Sequence, residues 1–117
     1  MQGFLRSFGY ALKGIKLSFA QRNFKIQLIC ALTVIALGFF FKITSLEWCL
    51  VLVCSALVLS LEVLNTSIEH LVDMVSPDLN PKAGKIKDLA AASVLISAMM
   101  SGVVALIIFW KYILALL

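Results

Sequence analysis

Residues 60 to 73 read Ser-Leu-Glu62-Val-Leu-Asn65-Thr-Ser-Ile-Glu69-His-Leu-Val-Asp73, and they continue an apolar run that begins near Leu46. A run of that length should cross a membrane as a helix. At 100° per residue, Glu62, Asn65, Glu69 and Asp73 fall within roughly 80° of each other. They make one polar stripe on an otherwise apolar helix. Carboxylates at membrane depth are costly, by about 2.5–3.5 kcal/mol each on insertion scales, so such a stripe needs a purpose.

The rest of the chain narrows that purpose. A chain of 117 residues allows one domain, and 62% of its residues are hydrophobic. A soluble domain this small could not hide that much apolar surface. The expected fold is an all-α membrane protein in a single domain, residues 1–117, with an N-terminal amphipathic interfacial helix and three transmembrane helices. Cys30, Cys49 and Cys54 all sit in apolar runs. Their odd number and spacing fit neither a disulfide framework nor a metal site, so they read as small apolar residues. No cleavable signal peptide is expected, because the first apolar run starts only at Ile26 and lacks a small-residue cleavage site.

Residues 3 to 20 carry Phe4, Phe8, Leu12, Ile15 and Phe19 at spacings of three and four, with Arg6, Lys13 and Lys16 on another face. This is the pattern of a helix lying in the membrane interface. Tyr10 lies off the apolar stripe. Gln21-Arg22-Asn23 reads as a polar turn. The first span is Ile26 to Phe41, flanked by Lys25 and Lys42, and a brief loop follows to Glu47. The second span is Leu46 to Leu71. Val72 to Asp88 reads as the longest segment outside the membrane, with turns at Ser76-Pro77-Asp78 and Asn80-Pro81. The third span is Leu89 to Trp110, with Lys111 beyond it. Its Ser93, Ser97, Ser101, Ala98 and Gly102 suit close helix packing.

Lysine and arginine cluster before Ile26 and again at Lys82, Lys85 and Lys87; the opposite side has only Lys42 and Lys111. The positive-inside bias therefore expects the N-terminus and the 72–88 segment in the cytoplasm and the C-terminus outside. The stripe then meets the side that holds ATP. Glu62, Glu69, Asp73 and Asp88 gather there with Lys87. Oxygen ligands of this kind suit Mg²⁺ with substrate phosphates, and a lysine supplies a point charge to a phosphate. Glu62 lies deepest, where it could take a proton from a hydroxyl that never leaves the bilayer. The combination suggests phosphoryl transfer at the membrane surface. A small ion- or proton-conducting oligomer, or a polar seam between helices, remains open at this point. Gly84-Lys85 is no P-loop, since the upstream Gly and the following Ser or Thr are missing. Asn65-Thr66-Ser67 matches a glycosylation sequon but lies at the cytoplasmic boundary, and His70 lies at the stripe's edge, suited to orienting its neighbours.

The sequence resembles the small prokaryotic diacylglycerol kinase family, which includes the undecaprenol kinases. Glu62-Val-Leu-Asn65-Thr-Ser-Ile-Glu69 with Asp73 matches its E-x-x-N-[TS]-x-I-E-x-x-x-D helix. Ala83-Gly84-Lys85-Ile86-Lys87-Asp88 matches its (A/G)-(K/R)-x-K-D segment, and Gly9-Tyr10-Ala-Leu-Lys13-Gly14 its N-terminal helix. The resemblance covers nearly the whole chain. It implies a homotrimer in the bacterial cytoplasmic membrane, with shared active sites and transfer of the ATP γ-phosphate to a lipid hydroxyl with Mg²⁺. It implies Glu62 as general base, Asn65 as an aligning residue and Glu69 as a metal ligand. Lys87 and Asp88 would contact the nucleotide phosphates, with Asp88 counted among the catalytic residues. Tyr10, Asp73, Asp78 and Asn80 would also line the nucleotide site. Gln21 stands where the family usually has a second metal-binding glutamate. Its amide oxygen can coordinate Mg²⁺ but brings no charge, so it binds directly, acts through water, or the local alignment slips by one. Gln27 stands where many members have His. The Asn65-Thr66 pair and the alanines that open the third span look more like the undecaprenol-kinase branch.

Overall fold

The computed structural model describes all 117 residues and contains four helices: α1 (Gln2–Ser18), α2 (Arg22–Phe41), α3 (Ser45–Val75) and α4 (Pro81–Leu116). It contains no strand. The last three are long and apolar enough to cross a membrane. α4 packs chiefly on α3, α2 packs on α3, and α1 touches α3 only lightly. In α1, Phe4, Phe8, Leu12 and Ile15 are all exposed, so the rest of the chain does not cover its apolar stripe. The chain turns out of α1 at residues 19 to 21, where the rings of Phe19 and Phe24 meet edge to face at 5.3 Å.

The helices run further than apolar content alone suggests. Gln21 is the N-cap of α2, so Arg22 and Asn23, expected in a turn, are helical. Within the expected 72–88 segment only residues 76–80 are non-helical, because α3 continues to Val75 and α4 starts at Pro81. Asn80-Pro81 opens a helix where a turn was expected. Asn80 Oδ1 accepts the Lys82 N–H at 2.9 Å, and Pro81 takes the first helical position, where its missing N–H costs nothing. Lys82, Lys85, Lys87 and Asp88 therefore ride on the first turns of α4. At 36 residues, α4 is about 54 Å long and outreaches a bilayer core of about 30 Å.

The α2–α3 corner is the tightest part of the fold. Lys42 adopts a left-handed conformation, φ 53°, and the next N–H, of Ile43, returns to Gly38 O at 3.2 Å. A Cβ on Gly38 would lie 2.7 Å from the Trp48 ring, so only glycine fits there. Thr44 and Glu47 form a reciprocal capping box at the start of α3. Tyr112 donates its hydroxyl to Glu47 Oε1 at 2.5 Å, and Lys111 Nζ pairs with Glu47 Oε2 at 2.7 Å. Above this clasp, Ile43, Val51, Ile108 and Phe109 form the buried cluster, flanked by Phe41 and Trp48. The best-packed region thus lies at the end of the bundle opposite the polar stripe.

Candidate functional site

The stripe is a real structural unit. Glu62 and Asn65 are almost fully buried, at 3% and 4% exposure, although one is charged and the other polar. Glu69, one turn on, is half-buried, and Asp73 is exposed. The four therefore run from the interior of the bundle to its surface. Asn65 Nδ2 donates to Glu69 Oε1 at 3.1 Å. A carboxylate only accepts, which fixes the amide with nitrogen toward Glu69. Asn65 Oδ1 then faces elsewhere, buried and without a partner. An unpaired buried acceptor costs about 1–3 kcal/mol, so this oxygen has room for a donor from outside the chain.

Glu62 and Asn65 line a small cavity between three helices. Asn23 and Gln27 of α2 and Val94 and Ala98 of α4 complete it. Asn23 was expected in a turn, and Gln27 was noted from sequence but given no role. Their i, i+4 spacing puts both on one helix face, a signal that was present but short. A second, apolar cavity of about 280 Å³ adjoins it; Gln27 and Ala98 line both. Part of the small-residue stripe on α4 has its place here. Ser97 is buried inside the chain, while Ala98, Ser101 and Gly102 line this second cavity. Ser101 Oγ donates to Ser97 O at 2.7 Å, so its hydroxyl is satisfied within its own helix.

At the surface end, Lys87 Nζ of α4 pairs with Asp73 Oδ1 of α3 at 2.6 Å. Two residues expected near a nucleotide are thus joined across the α3–α4 turn, and Asp88 stands exposed beside them. Asn80 spends its side chain capping α4, which is a structural duty. Asp78 lies exposed in the turn between the helices. Tyr10 is 66% exposed on α1, with Lys13 Nζ 5.7 Å from its ring centroid. Gln21 is half-buried and makes no capping hydrogen bond, so its amide is free. No three Asp, Glu, His or Cys side chains converge in the chain. That donor set suits Mg²⁺ better than a metal needing a closed protein cage, because Mg²⁺ takes one or two carboxylates and completes its shell with phosphates and water. Glu69 fits, since Asn65 occupies only one of its oxygens.

The chain matches the family model described as prokaryotic diacylglycerol kinase over residues 9–109. It is 36% identical over 107 residues to an undecaprenol kinase of Bacillus subtilis, covering 91% of this chain and 87% of that protein. It is 33% identical to a diacylglycerol kinase of Haemophilus influenzae, covering 86% of each. Identity to a diacylglycerol kinase of Escherichia coli is 23%, over 92% of this chain and 89% of that protein.

Proposed function

The chain belongs to the prokaryotic diacylglycerol kinase family and is a lipid kinase, and on that premise we propose how its residues carry the reaction. The donor is ATP with Mg²⁺, and the acceptor is the hydroxyl of a membrane lipid, diacylglycerol or undecaprenol. One observation carries the reading: a buried carboxylate, Glu62, shares a cavity between α2, α3 and α4 with the unpaired oxygen of Asn65.

The lipid hydroxyl enters sideways from the bilayer and meets Glu62, which takes its proton. The freed oxygen bonds to the γ-phosphorus as the bond to the β-phosphate oxygen breaks, and ADP leaves. Asn65 aligns the reacting oxygen and, through its Nδ2, holds Glu69 in place. Lys87 offers its ammonium to the nucleotide phosphates, with Asp73 and Asp88 ordering it. Tyr10, Asp78 and Asn80 border the nucleotide from α1 and the α3–α4 turn. Glu69, with Gln21, would hold Mg²⁺, which when bound neutralises charge on the phosphates. Burial of Glu62 keeps water from competing with the lipid hydroxyl.

The N-terminus and the 72–88 segment face the cytoplasm of a bacterial inner membrane, where ATP is available, and the lysine distribution supports that orientation. α1 lies in the interface with its uncovered apolar stripe toward lipid. The working unit is a homotrimer with shared sites, a reading supported by the large apolar surface that one chain leaves open.

The test is transfer of radiolabelled phosphate from Mg-ATP to lipid in micelles. Glu62→Gln should lower the rate by about 10²–10⁴-fold, the usual contribution of a positioned general base. Equal rates for Glu62→Gln and wild type would remove Glu62 from that role.

A further inference from the structure

The apolar cavity below the reacting groups has a definite course. On α3 this cavity and the smaller one adjoining it together run from Glu62 past Val58 and Cys54 to Val51. Eleven residues of helix make that about 16 Å, or half the thickness of a bilayer core. On α2 the apolar cavity runs from Gln27 toward Val34, and on α4 from Ala98 toward Ala105. All three directions lead from the stripe toward the far membrane face.

The lining changes character at one residue. Gln27 is the last amide on the way down, and its side chain lines both cavities. Beyond it the walls are apolar or small. Gly102 opens the α4 side: a Cβ built there meets nothing within 4 Å. The groove therefore has a polar mouth, with the amide of Gln27 and a buried unpaired acceptor at Asn65, and an apolar shaft beneath it.

We propose that this groove is a slot for one hydrocarbon tail of the acceptor, with Gly102 setting its capacity and Gln27 the boundary between head and tail. Resting on the lipid-kinase reading, it assigns acceptor selectivity to residues outside the polar stripe. An acceptor of about fifteen carbons spans the two cavities together, its tail in the shaft and its hydroxyl at Glu62 and Asn65. A lipid alcohol with one chain seats completely. A glycerolipid seats one chain and leaves the second in the bilayer, with its ester next to Gln27.

The chain carries its own probes. Cys30 and Cys54 line the groove, and Cys49 does not. The full-length protein in micelles is treated with N-ethylmaleimide without ATP, and modification of each thiol is followed by mass spectrometry. A fifteen-carbon prenol should slow modification of Cys54 and Cys30 several-fold and leave Cys49 unchanged, and a five-carbon prenol should protect neither. In parallel, Gly102→Leu should raise KM for the fifteen-carbon prenol at least tenfold with kcat little altered, and change the five-carbon prenol less than twofold. Ser55→Leu, which fills the slot from α3, should do the same. Equal protection of all three cysteines, or an equal loss for both prenols, overturns the slot. So does protection that follows protein concentration instead of lipid, together with a smaller assembly in Gly102→Leu, since a second copy would then fill the groove. Cys54 protection without phosphorylation of any lipid alcohol by wild type would keep the slot and reject the kinase mechanism.

Discussion

Single side chains in this protein take their meaning from how deep they sit. Glu62, Asn65, Glu69 and Asp73 share one helix face, yet the first two are buried, the third is half-buried and the fourth is in the open. In the proposed mechanism that gradient separates proton transfer at the deep end from nucleotide and metal handling at the surface. Asn65 bridges the two: one end of its amide holds Glu69 and the other is free. In the proposed metal site Gln21 stands where a second carboxylate would bring charge. Replacing it restores a charge without altering side-chain length, so Gln21→Glu should lower the Mg²⁺ concentration for half-maximal activity several-fold. Titrating activity with Mg²⁺ at fixed ATP checks this, and an unchanged midpoint would place residue 21 away from the metal.

The helices are held in register by contacts far from the chemistry. Gly38 lets Trp48 pack against the backbone of α2, with no room for a methyl group. Gly38→Ala should therefore destabilise the fold by about 1–3 kcal/mol, the usual cost of overpacking. Thermal unfolding in detergent would show it, while activity per folded molecule stays at the wild-type level. The Glu47 clasp joins the start of α3 to the end of α4 through Thr44, Lys111 and Tyr112. Glu47 is buried and serves all three partners, whereas Lys111 is mostly exposed and water can replace its pair. Glu47→Ala should lower the unfolding temperature clearly and Lys111→Ala only slightly. A larger effect from Lys111→Ala would show that its charge, and not the cap and Tyr112 bonds, holds this corner.

As a whole, one chain leaves a large surface open. Its accessible surface is 8827 Å², against about 6,300 Å² for a compact soluble chain of this mass. Leu106, Ile107, Trp110 and many other large apolar side chains remain exposed along the spans. Lipid covers part of such a surface, and the proposed homotrimer would cover more of it. Light scattering on the detergent complex, corrected for detergent, should give close to three times the 12.8 kDa chain mass. A monomer with full activity would reject the shared-site trimer.

Much of this architecture was legible in the sequence because its causes are local. Apolar runs long enough for a bilayer place three spans, and the spacing of Glu62, Asn65, Glu69 and Asp73 puts them on one face of α3. Helix ends were read less well. Asn80-Pro81 is as good a helix start as a turn, and the choice falls to whether α4 can pack on α3 immediately afterwards. The capping box Thr44-x-x-Glu47 was present in the chain, but its link to Lys111 and Tyr112, 65 residues from Glu47 to Tyr112, has no periodicity to reveal it. Chain chemistry alone determined that this protein crosses a membrane with a polar stripe at one end. Only packing decided that Glu62 and Asn65 are buried, that Asn65 keeps a free oxygen, and that Gln27 and Gly102 join them along one groove, because a cavity belongs to the space between helices and to no single stretch of sequence.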